Sequence, residues 1–153
     1  MSATVEFPLG KNTTGCNSFN GYIARSFGAK TGSYLARGFL DISKAEKEVP
    51  GSWVWANVSE AIEAGLHPKP GDFYSMPLGD QMFGHVGVVV DFDGASQTWT
   101  HVDGGQGGKS VGKDFIKWAK AKKFNRDKIN GWVDMAVYLM PDGPEYSIGP
   151  DGF

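Results

Sequence analysis

Apolar residues recur along this chain with two different periods. Phe19, Tyr22, Ile23 and Phe27 follow i, i+3, i+4, i+8 spacing, which predicts a helix starting at Cys16 that buries an aromatic face. Thr13 and Thr14 are candidate N-caps, and Gly28 is the expected stop. From Thr31 to Trp55 the pattern is weak, with a helical signal only around Ser43 to Lys47 and a turn at Pro50-Gly51. Asn57 to Gly65 reads as a short helix with Val58, Ala61 and Ile62 inward, and His67-Pro68-Lys69-Pro70-Gly71 as a loop.

The period then shortens. Asp72 to Met76 reads as a strand, and Val86 to Phe92 as a second, nearly all apolar, as a strand covered on both faces should be. Asp93-Gly94 signals a hairpin, with Gln97 to Asp103 returning. After the glycine-rich loop Gly104 to Gly108, Lys113 to Lys123 reads as an amphipathic helix with Phe115, Ile116 and Ala119 inward. Gly131 to Met140 reads as a last strand. Helices first, then an antiparallel sheet, is an α+β order. One domain is expected over residues 1–141, followed by a loose tail, 142–153, rich in Pro, Gly and Asp.

Composition narrows the classes. At 153 residues, 41% hydrophobic and 21% charged, the chain suits one globular domain. No run approaches the roughly 18 apolar residues of a membrane helix, so no membrane span is expected. Met1 to Gly15 has neither a basic start nor an apolar run, unlike a classical signal peptide. The expectation is synthesis in the cytoplasm and export or delivery by another route to the periplasm or cell wall. Seven lysines and one arginine against two aspartates make Lys109 to Lys128 net +6, and the rest of the chain −8, against −2 overall. No nucleic-acid motif accompanies this basic stretch, so a solvated face, or contact with an anionic wall polymer, is expected rather than DNA.

The single cysteine excludes an intramolecular disulfide and zinc sites built from two or four cysteines. A lone cysteine is commonly a small buried hydrophobe. Cys16, however, opens a helix, where unpaired N–H groups and the helix dipole favour a thiolate and can stabilise an oxyanion. His85, between Gly84 and Val86 at the start of the most apolar strand, is the candidate base. His101 and Asp103 are two apart and share one face of the returning strand. Pairing His85 with Asp103 centres the hairpin on Gly94, and pairing it with His101 centres it on Asp93. Either could hold the second ring nitrogen. A zinc site of His85, His101 and Asp103 is the metal alternative. It has no His-Glu-x-x-His helix behind it and leaves the placement of Cys16 unexplained. Asn17 and Ser18, beside the cysteine, and Trp53 and Trp55, between turns, are candidate substrate-binding residues. Trp118 and Trp132 read as core, and His67 as exposed.

Thr14-Gly15-Cys16-Asn17-Ser18-Phe19, Pro70-Gly71-Asp72-Phe73-Tyr74 and Gly84-His85-Val86-Gly87-Val88-Val89-Val90 resemble, in order, the three landmarks of the NlpC/P60 and CHAP enzymes. The resemblance covers roughly residues 12 to 105. It implies a papain-like fold, with N-terminal helices packed on an antiparallel sheet, and a cysteine amidase or endopeptidase acting on bacterial cell-wall peptides without metal or organic cofactor. Val102-Asp103-Gly104-Gly105 is more similar to the acidic or amide third residue of many CHAP enzymes, which favours Asp103 over His101. The chain is also similar to amidase toxins injected by bacterial secretion systems and to phage lytic proteins. The resemblance therefore implies peptidoglycan peptide as substrate, an inhibitor or immunity protein as a second partner, and a monomer. Two alternatives are a papain-fold protease, deamidase or acyltransferase acting on a host protein, and a non-catalytic binding module on the same fold.

Overall fold

Helix α1, Gly15–Ser26, opens the described chain and carries Cys16 in its first turn. The computed structural model describes residues 15–93, 95, 98–104, 117–118, 122–123 and 128–140. The candidate caps Thr13 and Thr14, most of the glycine loop and the 142–153 tail lie outside them. Gly28 ends the helix as expected. With φ at +102°, it lets its N–H reach Arg25 O at 3.0 Å and the Ala29 N–H reach Ala24 O at 2.9 Å.

The buried arc of α1 differs from the predicted stripe. Phe19 is buried, but Phe27 is 45% exposed, and Asn17, Asn20, Gly21 and Ala24 face inward. The cause is the following loop. A Cβ on Gly21 would lie 3.0 Å from Ala36 O, and one on Gly38 would lie 2.7 Å from Asn17 O. Two glycines let loop backbone close over a helix face that includes two asparagines.

A 3-10 turn, Ile42–Lys44, runs into α2, Ala45–Glu48, where the weak helical signal fell. The unpatterned tryptophans form a strand, β1, Trp53–Trp55. Helix α3, Ser59–Glu63, buries Ala61 but leaves Val58 40% and Ile62 50% exposed. Its predicted apolar stripe is thus only one residue wide, because the short helix meets the body at a single point.

Strands β2, Phe73–Leu78, and β3, Gln81–Asp93, form a hairpin through Gly79-Asp80. Gly79 takes φ +56° there, a conformation that favours glycine. Strand β4, Thr98–Asp103, pairs with β3 on the other side. Within the stretch expected as a helix, Lys113 to Lys123, the described residues are strand: β5, Lys117–Trp118, and β6, Lys122–Lys123, both pair with β4, while Phe115, Ile116 and Ala119 lie outside the described residues. The outer edge of β4 offers unpaired N–H and C=O groups, and satisfying them outweighs a weak helical pattern. The Trp118 side chain lies outside the description.

The last predicted strand also divides. It becomes β7, Gly131–Val133, and helix α4, Met135–Leu139. Asp134 caps α4 by accepting the Val137 N–H at 3.2 Å.

The sheet order is β1-β7-β2-β3-β4-β5, with β6 also on β4, and all pairs are antiparallel. The chain is therefore α+β. Alternation along the strands feeds two apolar clusters. Phe73, Val86, Val88, Val102 and Val133 join Cys16 and Phe19 in one, and Tyr74, Val89, Trp99, Ile129 and Trp132 form the other. Two covered faces explain why β3 reads as a nearly unbroken apolar run. Trp132 is core, as expected. Among the described residues no helix is long and apolar enough to cross a membrane.

Candidate active site

Strand β3 begins four residues before His85, so the histidine sits inside a strand rather than at its mouth. The register also differs from both predicted pairings. Val88 faces Val102 and Val89 faces His101, which sets Asp103 opposite Gly87, two residues along from His85. Asp93 faces Thr98, a later centre than Asp93 or Gly94, and an irregularity between Val89 and Asp91 shifts the pairing back by only one residue. His85 and Asp103 are diagonal neighbours on one face, still within side-chain reach.

Gly87 makes that reach possible. A Cβ there would stand 1.8 Å from Asp103 Oδ1 and 2.7 Å from the Tyr74 ring. The carboxylate therefore occupies the space above a glycine. His85 Nε2 lies 3.2 Å from Asp103 Oδ2, and the His85 side chain is also hydrogen-bonded to Cys16. Gly104 brings helix and sheet together at this end, since its Cβ would lie 2.4 Å from Phe19 Cβ and 2.7 Å from Gly15 O. One turn on from Cys16, Asn20 Nδ2 donates to Gly87 O at 3.5 Å.

Asp103 holds two further donors. The Tyr74 hydroxyl donates to Oδ1 at 2.6 Å, and His101 Nδ1 lies 2.8 Å from Oδ2. Tyr74 Oη and His101 Nδ1 are 2.9 Å apart. The one hydroxyl proton goes to Asp103, so His101 Nδ1 carries the hydrogen between them. His101 is 4% exposed and Asp103 2%.

The charges follow from these partners. Burial would raise the Asp103 pKa, but hydrogen bonds from His101, His85 and Tyr74 outweigh it and lower the value to about 2. Burial would lower the His85 pKa. The hydrogen bonds to Asp103 and Cys16, with the negative charges of both, outweigh it and raise the value to about 9. Burial pushes the Tyr74 phenol far above its usual range, helped by the Asp103 charge, so it stays a neutral donor. The set can thus hold a cationic imidazole between a thiolate and a carboxylate. Among the described residues no group of three or more His, Cys, Asp or Glu side chains is arranged to hold a metal ion.

Cys16, His85, Asp103 and His101 are therefore brought together. Asn17 is buried beneath the Gly38 loop and Ser18 is half-buried beside it. Trp53 is buried and Trp55 is 40% exposed. Their rings pack edge to face at 5.2 Å and both lie near Phe83, at 6.5 and 6.3 Å, two residues before His85. His67 is exposed, with its ring stacked on Phe92 at 4.0 Å. Sequence reasoning gave no role to Tyr74 or Gly87, although both sit within the quoted landmarks. A tyrosine in mid-strand is the available signal for the first, since a buried hydroxyl needs an acceptor. Comparisons with family models, with curated proteins and with solved structures find no match to this chain.

Proposed function

We propose that this chain is a papain-like cysteine hydrolase, resembling the NlpC/P60 and CHAP enzymes, that cuts amide bonds in bacterial cell-wall peptides. The observation that carries the reading is the continuous chain from Cys16 through His85 to Asp103. The Cys16 thiolate attacks the amide carbonyl carbon, and first-turn N–H groups of α1 are the donors available to the developing oxyanion. The imidazolium of His85 gives its proton to the leaving amine as the C–N bond breaks, leaving a thioester on Cys16. His85 then takes a proton from water, which attacks the thioester; the acid is released and the thiolate–imidazolium pair returns. Asp103 orients the ring and stabilises its cationic form.

The amide-hydrolase chemistry rests on geometry, and the wall-peptide substrate rests on the resemblance. Mass spectrometry of purified cell-wall peptides, incubated with the wild type and with Cys16→Ala, tests both. New amide-cleavage products that require Cys16 are expected. Products formed equally by Cys16→Ala would overturn the mechanism, and no change on any wall preparation would overturn the substrate.

A further inference from the structure

We propose that Tyr74 and His101 are positioning residues of this site, clamping the Asp103 carboxylate so that Oδ2 is held toward His85. The inference rests on the reading of Cys16, His85 and Asp103 as the hydrolytic set.

The need for a clamp comes from Gly87. On the facing strand, the position opposite Asp103 has no side chain, so β3 holds the carboxylate only through the diagonal contact from His85. The bond from Asp103 to His85 runs diagonally at 3.2 Å, longer than the 2.8 and 2.6 Å bonds from His101 and Tyr74. The longest of the three contacts is the one the reaction uses, and the two shorter ones set its direction.

Their geometry divides the carboxylate. Tyr74 reaches across from β2 and takes Oδ1, and His101, two residues back on β4, shares Oδ2 with His85. A carboxylate has about four lone-pair sites, and these donors fill all but one of them together with His85. Both rings are themselves locked. Tyr74 is fully buried and packs on Trp99 at 4.7 Å and on His101 at 5.1 Å; Trp99 and His101 lie 5.6 Å apart. Tyr74 and His101 carry no proton to or from substrate. They act through Asp103, which in turn acts through His85.

The test uses the full chain and iodoacetamide, following alkylation of Cys16 against pH in wild type, Tyr74→Phe, His101→Leu and His101→Asn, with thermal unfolding of each. A purely structural role would lower the melting temperature and leave the onset of Cys16 reactivity at the same pH. With a donor removed, Asp103 holds the His85 cation less well. The onset in Tyr74→Phe and His101→Leu should therefore rise by about one pH unit, a roughly tenfold slower reaction at low pH. His101→Asn places an N–H near the position of Nδ1 and should restore the wild-type onset. If Tyr74→Phe fails to fold, the His101→Leu and His101→Asn pair decides the matter alone. Folded variants that keep the wild-type onset, or an Asn variant no better than Leu, would overturn the clamp. A wild type without low-pH reactivity would instead overturn the underlying hydrolase reading.

Discussion

Asp72 and Asp103 are equally buried, each 2% exposed, yet their carboxyls are driven in opposite directions. Asp72 accepts two backbone N–H groups, Lys69 at 2.8 Å on Oδ2 and Met135 at 3.0 Å on Oδ1. Burial still dominates there and raises its pKa to about 6. Asp103 faces two imidazoles and a phenol, and falls to about 2. Two neutral amide dipoles do not repay the desolvation of a charge, whereas charge-assisted partners do. The first corner ties the Lys69 to Asp72 turn to the start of α4. The second holds the His85 ring beside Cys16. The Pro70-Gly71-Asp72 landmark is thus an architectural feature in this chain, and under the proposed hydrolase reading the His85 landmark is the chemical one.

Substitution should separate the two most sharply. Asp103→Ala leaves His85 without its anchor and should reduce turnover by at least about a hundredfold, with far smaller loss in a folded His101→Asn. Asp72→Ala strands two buried N–H groups and should cost about 1–3 kcal/mol of stability, with turnover per folded molecule retained. Denaturant unfolding and steady-state kinetics on both variants check this. Loss of turnover in folded Asp72→Ala would erase the distinction.

Two glycines sharpen it further. Gly87→Ala forces a Cβ into the Asp103 carboxylate and should abolish turnover even in the fraction that folds. Gly71→Ala meets no atom within 4 Å but sits at φ +95°, so it should cost about 1–2 kcal/mol and leave the chemistry intact. Turnover assays beside melting curves distinguish the two.

The pH dependence of stability carries the same contrast at smaller amplitude. Asp72 binds its proton more tightly when folded, at about 6 against about 3.9 unfolded. The folded state then holds more protons between those values, and this group's contribution to stability falls as pH rises through the window. Asp103 runs the other way: its contribution is present above about 3.9 and is lost as pH falls toward 2. His85 adds stability below about 6.5 that is lost as pH rises through about 9. Denaturant unfolding at a series of pH values should show the acid-side slope between about 4 and 6 flatten in Asp72→Ala. An unchanged slope there would contradict the account of Asp72.

What was legible in the sequence divides along similar lines. The Cys16 helix, its Gly28 stop, the apolar β3 and the β3–β4 hairpin all follow from local periodicity and turn residues. So does the shared face of His101 and Asp103. The register did not, because Asp93 pairs with Thr98, a later centre than Asp93-Gly94 signals, and the one-residue irregularity beyond Val89 only partly offsets it. The Gly79-Asp80 turn was a readable hairpin signal that extends β3 back past His85. The Lys113 to Lys123 helix and the Gly131 to Met140 strand failed where long-range partners decide: the open edge of β4 in one case, the Asp134 cap and Asp72 in the other. Tyr74 was visible only as a quoted letter, since its role needs three strands to be in place.

The central claim is that His85 is held as a cation between Cys16 and Asp103, and the state of its ring tests this most directly. Nitrogen-15 and proton NMR of the histidine rings in the folded wild type, from about pH 5 to 10, spans both the ordinary and the shifted range. The account predicts that His85 is imidazolium through neutral pH and loses its proton near 9, with that value falling in Cys16→Ala and falling further in Asp103→Ala. A His85 ring that is already neutral at pH 7, or one whose titration does not respond to loss of either partner, would contradict it.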